Sequence, residues 1–291
     1  MKLRTTLTAC WLAWFLNFTY RALMPAAKVE LGLSEAEASL ALSLLLVGYA
    51  VSLGASGFAA STLGDEVVMA SSLLVASASS ILIYATPSPL WLMLGLFVAG
   101  LGLGLYLPPA ISLLTRLSPP SIRGRVVGVH ETAAPLGQVA GPLMAGLALS
   151  TGLSWKTCAL LWAIPPPLLA LMFLAKARRA RRGKVGARNF IGFKTPLGLY
   201  AALLAAYVCM TSGTGLIAMM PLYISGFFGL SAAAAAFIVG YSRATGVAGQ
   251  LLGSYLSDRL GRVKVLASTA LVTATSTLIL TTAPYGPAFI S

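Results

Sequence analysis

Arg21, Glu131 and Arg243 each stand inside a long apolar stretch, where a charge costs about 2.5 to 3.5 kcal/mol to insert into a bilayer. A charge kept at that cost is a candidate for work within the membrane. Cys10, Trp14, Asn17, Arg21 and Met24 recur at helical spacing and form one stripe. Arg21 lies roughly 21 Å along its helix at 1.5 Å per residue, past the midplane. Its planar fork of donors matches carboxylate or phosphate oxygens; the alternative is an arginine that snorkels to the outer headgroups. Arg243 sits midway along its own stretch, in a stripe with Gln250 and beside the small face of Ser242, Gly246, Gly249 and Gly253. Snorkelling from the centre is harder, so a water-filled cavity and an anionic substrate gripped by Arg21, Asn17, Arg243 and Gln250 are expected. Glu131, one to two turns into a helix with Pro135, Gln138 and Pro142 on its stripe, suits reversible protonation. It is the expected proton-coupling residue, the alternative being a simple pair with Arg123 or Arg125. His130 points some 100° away around a helix and is expected to pack.

The elements that must hold these residues are membrane helices. The 291 residues are 58% hydrophobic and 9% charged, against roughly 25% charged in a soluble domain. Apolar windows with their Pro, Gly and charged punctuation predict nine spans, near 7–27, 38–60, 67–85, 90–114, 126–149, 158–174, 197–224, 232–256 and 265–282. Pro165 to Pro167 should break the sixth. The net charge of +13 resides in alternate loops: Lys2 and Arg4, Arg116 to Arg125, Lys176 to Lys194, and Arg259 to Lys264, against Lys28 and Lys156 on the other face. The positive-inside rule then puts the amino terminus in the cytoplasm of a multi-pass plasma-membrane protein. A cleaved signal peptide is disfavoured because Asn17, Thr19, Tyr20 and Arg21 interrupt the place where a small-residue cleavage site would stand. The basic run 176–195 divides a six-helix bundle, 1–175, from a three-helix segment, 196–291. It reads as a headgroup-facing loop worth roughly 1 kcal/mol per basic residue near the surface, without the aromatic platforms a nucleic-acid site needs. Cys10, Cys158 and Cys209 fall in separate spans and offer neither a disulfide framework nor a metal site; no cofactor is expected.

The chain also repeats itself at an offset of about 197 residues. Gly57 to Asp65, ending the second span, aligns with Ser254 to Arg262, ending the eighth. Two parallel halves related by an axis along the membrane normal are one recognised transporter plan.

At this hinge the chain resembles the major facilitator superfamily, whose corresponding loops read GxxxDRxGRR. The second copy keeps Asp258, Arg259, Gly261 and Arg262, with Ser254 in place of the leading glycine. The first keeps Gly57 and Gly64, with Ser61 and Thr62 in place of the acid and the arginine. A second family motif, G(x)8G(x)3GP(x)2GG, is matched by Gly128, Gly137, Gly141, Pro142 and Gly146, with Ala145 replacing one glycine. The resemblance implies an all-α polytopic membrane protein, one six-helix bundle plus three helices of a pseudo-symmetric second, where the family has twelve. It implies secondary active transport of a small solute, an organic anion or a drug-like compound, by alternating access near the membrane centre. The fifth-span motif tilts this towards proton antiport. The segment Asn17 to Arg21 is similar to an organic-anion-carrier signature whose arginine grips a carboxylate. The resemblance also implies that Asp258 docks on the start of the fifth span, between Ser121 and Val129, as an inner-gate latch. The alternative is a truncated, non-transporting membrane protein that packs with a partner supplying further helices. An intramembrane enzyme would need paired carboxylates, a nucleophile with its base, or metal ligands, and none is legible.

Overall fold

The computed structural model describes residues 3–31, 34–85, 88–182 and 232–282, with Gly198 and Gly229; among these every regular element is a helix. Apart from Gly198, the seventh predicted span, Cys209 included, lies outside the described residues. In order the α-helices are α1 Leu3–Leu31, α2 Glu35–Leu63, α3 Asp65–Tyr84, α4 Pro89–Gly104, α5 Leu107–Leu117, α6 Arg123–Glu131, α7 Ala133–Ser150, α8 Trp155–Trp162, α9 Pro165–Arg182, α10 Ala232–Leu260 and α11 Arg262–Thr282. One compact unit comprises Met1–Arg188 with Val247–Arg259, the other Asn189–Gly246 with Leu260–Ser291.

Among the described residues four stretches are long and apolar enough to cross a membrane: Ser39–Leu63, Asp65–Tyr84, Pro89–Leu117 and Lys156–Arg178. Their outward faces carry Leu46, Val51, Phe58, Trp91, Leu168 and Leu171, all well exposed. Water would not tolerate such a surface, whereas lipid is its natural solvent.

Three predicted spans are each interrupted, and proline explains every break. Pro108 and Pro109 cannot donate to the preceding turn, so the chain tightens between α4 and α5, where Leu105 N–H reaches Gly102 (3.3 Å) and Tyr106 N–H reaches Leu103 (3.5 Å). Pro135 removes the donor that would have bonded the Glu131 carbonyl, and α6 gives way to α7 at Thr132. Pro165 to Pro167 separate α8 from α9. Carbonyls at these breaks must still be satisfied in a dry interior. Ser72 donates to Gly102 (2.7 Å), Asn17 Nδ2 to Leu103 (2.9 Å), and Ser77 to Ala163 (2.7 Å), whose usual i+4 donor is replaced by Pro167.

Small residues set the closest helix approach. A Cβ on Gly100 would strike the Leu45 carbonyl and lie 2.9 Å from Tyr49 N, and one on Gly104 would strike Tyr49 O and Ser52. The Leu45 and Tyr49 atoms belong to the backbone of α2 and cannot step aside. Gly100→Val should therefore force α2 and α4 apart at a cost of about 3 kcal/mol. A fall in thermal midpoint and in monodisperse yield after detergent extraction would register it; an unchanged midpoint would contradict the packing argument.

The α2–α3 and α10–α11 connections share one backbone form. Gly64 and Gly261 both have φ +94°, a region glycine alone enters without penalty, and they lie at the offset of the internal repeat. Asp65 and Glu66 then open α3, favoured at a helix start. Asp65 pairs with Arg116 (2.9 Å) and Glu66 with Lys176 (3.4 Å), tying α3 to α5 and α9.

Candidate functional site

The break between α4 and α5 brings Tyr106 inward, and the break after α6 brings His130 and Glu131 to meet it. Both Tyr106 and His130 are fully buried. The Tyr106 hydroxyl donates to the Cys10 carbonyl of α1 (2.6 Å) and lies 3.2 Å from His130 Nε2. His130 Nδ1 lies 3.0 Å from Glu131 Oε1, and Trp14 Nε1 donates to Glu131 Oε2 (3.2 Å). Beside them Trp11 Nε1 donates to Thr132 (2.9 Å). The Trp14 ring stacks on both Tyr106 (5.5 Å) and His130 (5.8 Å). Glu131 keeps 30% of its side chain exposed while His130 keeps none, so the carboxylate is the open end of the network.

Two sequence expectations meet different geometry here. Side chains of successive helical residues diverge, yet Glu131, with three side-chain torsions at the last turn of α6, folds back to His130; the imidazole is part of a polar chain. Arg123 and Arg125 are engaged elsewhere: Arg123 Nε donates to the Thr115 (3.1 Å) and Ser118 (3.3 Å) carbonyls, and Arg125 Nε lies 3.6 Å from Asp258.

Arg21, one turn beyond buried Asn17 on α1, holds its guanidinium over the rings of Tyr49 (4.0 Å) and Phe18 (4.8 Å). Cation–π contacts of this kind are worth about 0.5 to 2 kcal/mol. They leave Nε and Nη2 buried without a hydrogen-bond acceptor. The carbonyl oxygen of Asn17 is likewise buried and unbonded. Gln250, on α10, also has a buried side-chain oxygen without a hydrogen bond, Oε1. Arg243 lies on α10 with its side chain outside the described residues.

Asp258, near the end of α10, caps α6. Its Oδ1 accepts from Gly124 N–H (3.0 Å) and its Oδ2 from Arg125 N–H (2.8 Å). Those donors belong to the first turn of α6, which no residue inside the helix can satisfy. A Cβ on Gly124 would collide with the carboxylate, and one on Gly128 would collide with Ser254, so both glycines admit α10. Arg259 lies over the Tyr255 ring (4.7 Å). Gly261 makes the turn described above, and Arg262 opens α11, exposed. In the first hinge copy, Ser61 and Thr62 turn back on the carbonyls of their own helix, at Phe58 and Ala59. Of the other fifth-span motif residues, Gly137 is close against Phe15 O, where a Cβ would come within 2.6 Å. Gly141 is buried in α7, and Pro142 and Gly146 continue that helix with their surroundings outside the described residues.

Sequence reasoning did not find Trp14, Tyr106 and His130 as partners of Glu131, nor Gly124 beneath Asp258. The Pro108–Pro109 pair was the available signal, since it turns the chain at Tyr106. Among the described residues no group of histidine, cysteine and carboxylates is arranged to hold a metal ion.

Proline-broken helices of membrane length, with buried charges and a clasped interhelical hinge, define a polytopic membrane protein. The Major Facilitator Superfamily family model matches residues 6–291, and the chain belongs to that superfamily of transporters. Over 112 residues it is 32% identical to the niacin transporter NiaP of Acinetobacter baylyi, covering 38% of this chain and 26% of that protein. Over 260 residues it is 24% identical to an uncharacterized MFS-type transporter of Mycobacterium tuberculosis, covering 86% of this chain. The chain spans 58% of the length of that relative. In fold it is similar to the E. coli fucose:proton symporter FucP (TM-score 0.70, 19% identity, 97% of this chain and 78% of that one). It is also similar to the proton:xylose symporter XylE (TM-score 0.67, 14% identity, 88% and 70%).

Proposed function

We propose that this chain is a secondary carrier of a small organic carboxylate, driven by protons and working by alternating access in the plasma membrane with its amino terminus in the cytoplasm. The observation that carries the substrate class is Arg21. A guanidinium held over two rings, with two buried nitrogens whose N–H groups lack an acceptor, is poised for an anion that brings oxygens to it, and the same rings suit a flat apolar body. Asn17, Gln250 and Arg243 complete the proposed contacts. The niacin carried by the relative of known name is itself an aromatic carboxylate, which agrees with this reading.

The test is uptake of a carboxylate panel that includes nicotinate into proteoliposomes, with and without a pH gradient. Arg21→Ala should lower uptake of the preferred carboxylate about 30-fold, the equivalent of roughly 2 kcal/mol for a charge-assisted hydrogen bond. Arg21→Lys should not restore it, because a point charge replaces a stacked fork. Equal uptake by all three proteins would dismiss the carboxylate assignment. The sign of the gradient dependence decides between symport and the antiport to which the Gly128 to Gly146 motif points.

A further inference from the structure

The hydroxyl of Tyr106 has one proton, and a carbonyl can only accept. That proton is therefore committed to Cys10 O at 2.6 Å, and Tyr106 faces His130 Nε2 as an acceptor. Nε2 must carry hydrogen. On the far side of the ring, Trp14 N–H occupies Glu131 Oε2, which leaves Oε1 against His130 Nδ1 at 3.0 Å. Two lone pairs do not approach so closely without a proton between them. The pair thus holds two protons in this state: one on Nε2 and one between Nδ1 and Oε1, as imidazolium with carboxylate or imidazole with carboxylic acid.

From this accounting we propose that His130 and Glu131 together form the proton-binding site, and that loss of one proton turns the Tyr106 hydroxyl from Cys10 to His130. The proposal rests on the proton-coupled reading above and gives it a mechanism. Of the two protons, one goes to water beside the half-open Glu131 carboxylate. The one that stays is held on Nδ1, where the now anionic carboxylate accepts it. Nε2 is then bare, and the donor that faces it among the described residues is the Tyr106 hydroxyl, which must leave the Cys10 carbonyl to bond it. One α1 to α5 hydrogen bond is exchanged for one within the proton site, so proton occupancy is linked to how firmly the first and fourth spans are joined. Cys10 on α1 and Tyr106 itself are the titratable groups facing the pair. The Glu66–Lys176 ion pair of α3 and α9 lies near enough to act on Cys10. On its own helix Arg123 and Arg125 are turned to carbonyls and to Asp258.

His130 is the single histidine of the chain, so the prediction has a direct reporter. The full chain, carrying a purification tag free of histidine and labelled with nitrogen-15 histidine, is placed in lipid nanodiscs and followed by NMR from pH 5 to 9. Nε2 should be protonated at the acid end and bare at the alkaline end. In Glu131→Gln, whose amide donates to Nδ1, Nε2 should keep its proton throughout. A wild-type Nε2 protonated at every pH, or one that loses its proton equally in Glu131→Gln, overturns the proposal. Nicotinate uptake that follows the pH gradient while Nε2 never switches would refute this switch and leave proton coupling standing. A switching Nε2 with uptake indifferent to the gradient would refute the coupling reading and leave the proton site in place.

Discussion

Glu131→Gln is expected to yield a folded protein that no longer accumulates substrate against a gradient. Glutamine has the shape of glutamate and keeps both hydrogen bonds, accepting from Trp14 Nε1 and donating to His130 Nδ1, where the carboxylate now stands at 3.2 and 3.0 Å. What it cannot do is take up and release a proton. Gradient-driven accumulation in proteoliposomes should fall at least tenfold, to the level seen without a gradient. Exchange of labelled for unlabelled substrate should survive. Glu131→Ala makes a useful contrast, because it strands a tryptophan N–H and a buried imidazole at about 1 to 3 kcal/mol each and should destabilise the fold as well. Retained accumulation in the glutamine variant would remove Glu131 from the coupling mechanism.

Asp258→Ala carries the second large effect. Its carboxylate holds two first-turn amides of α6 at 3.0 and 2.8 Å, and hydrogen bonds to a charged group contribute about 1.5 to 3 kcal/mol each. Losing about 3 kcal/mol changes the opening equilibrium roughly 100-fold. Hydrogen exchange at the peptide spanning Gly124 and Arg125 should accelerate by that factor. Gly124→Ala should do the same without touching any charge, since its methyl group takes the place of the carboxylate. Arg125→Ala should change little: its side chain is 49% exposed and 3.6 Å from the acid, a geometry in which ion pairs are worth under 1 kcal/mol. Equal protection in Asp258→Ala and the wild type would end the idea of a latch.

The helical membrane class was legible because apolar length and charged punctuation follow from bilayer thickness alone. The docking of Asp258 was expected from the family resemblance, which pairs the acid of the hinge with the start of the fifth span, and its carboxylate is found on the Gly124 and Arg125 amides. Continuous fourth and fifth spans were expected from composition, whereas the proline triplet announced the interruption of the sixth. Pro108, Pro109 and Pro135 also interrupt their spans, but a proline in an apolar run does not say which carbonyls another helix will satisfy. The Glu131 network was illegible for a related reason. Helical phase separates His130 from Glu131, and only the tertiary placement of Trp14 and Tyr106 makes a folded-back carboxylate favourable. Asn17 was read as a substrate ligand; its amide N–H supports the Leu103 carbonyl, and its oxygen remains open to that role.

The left-handed glycines Gly64 and Gly261 share one φ, yet their two elbows are braced from opposite sides. At the first the acid follows the glycine, and Asp65 reaches Arg116 of α5; at the second the acid precedes it, and Asp258 clasps the start of α6. A duplicated bend is thus tethered by the rod that leaves it in one copy and by the rod that enters it in the other.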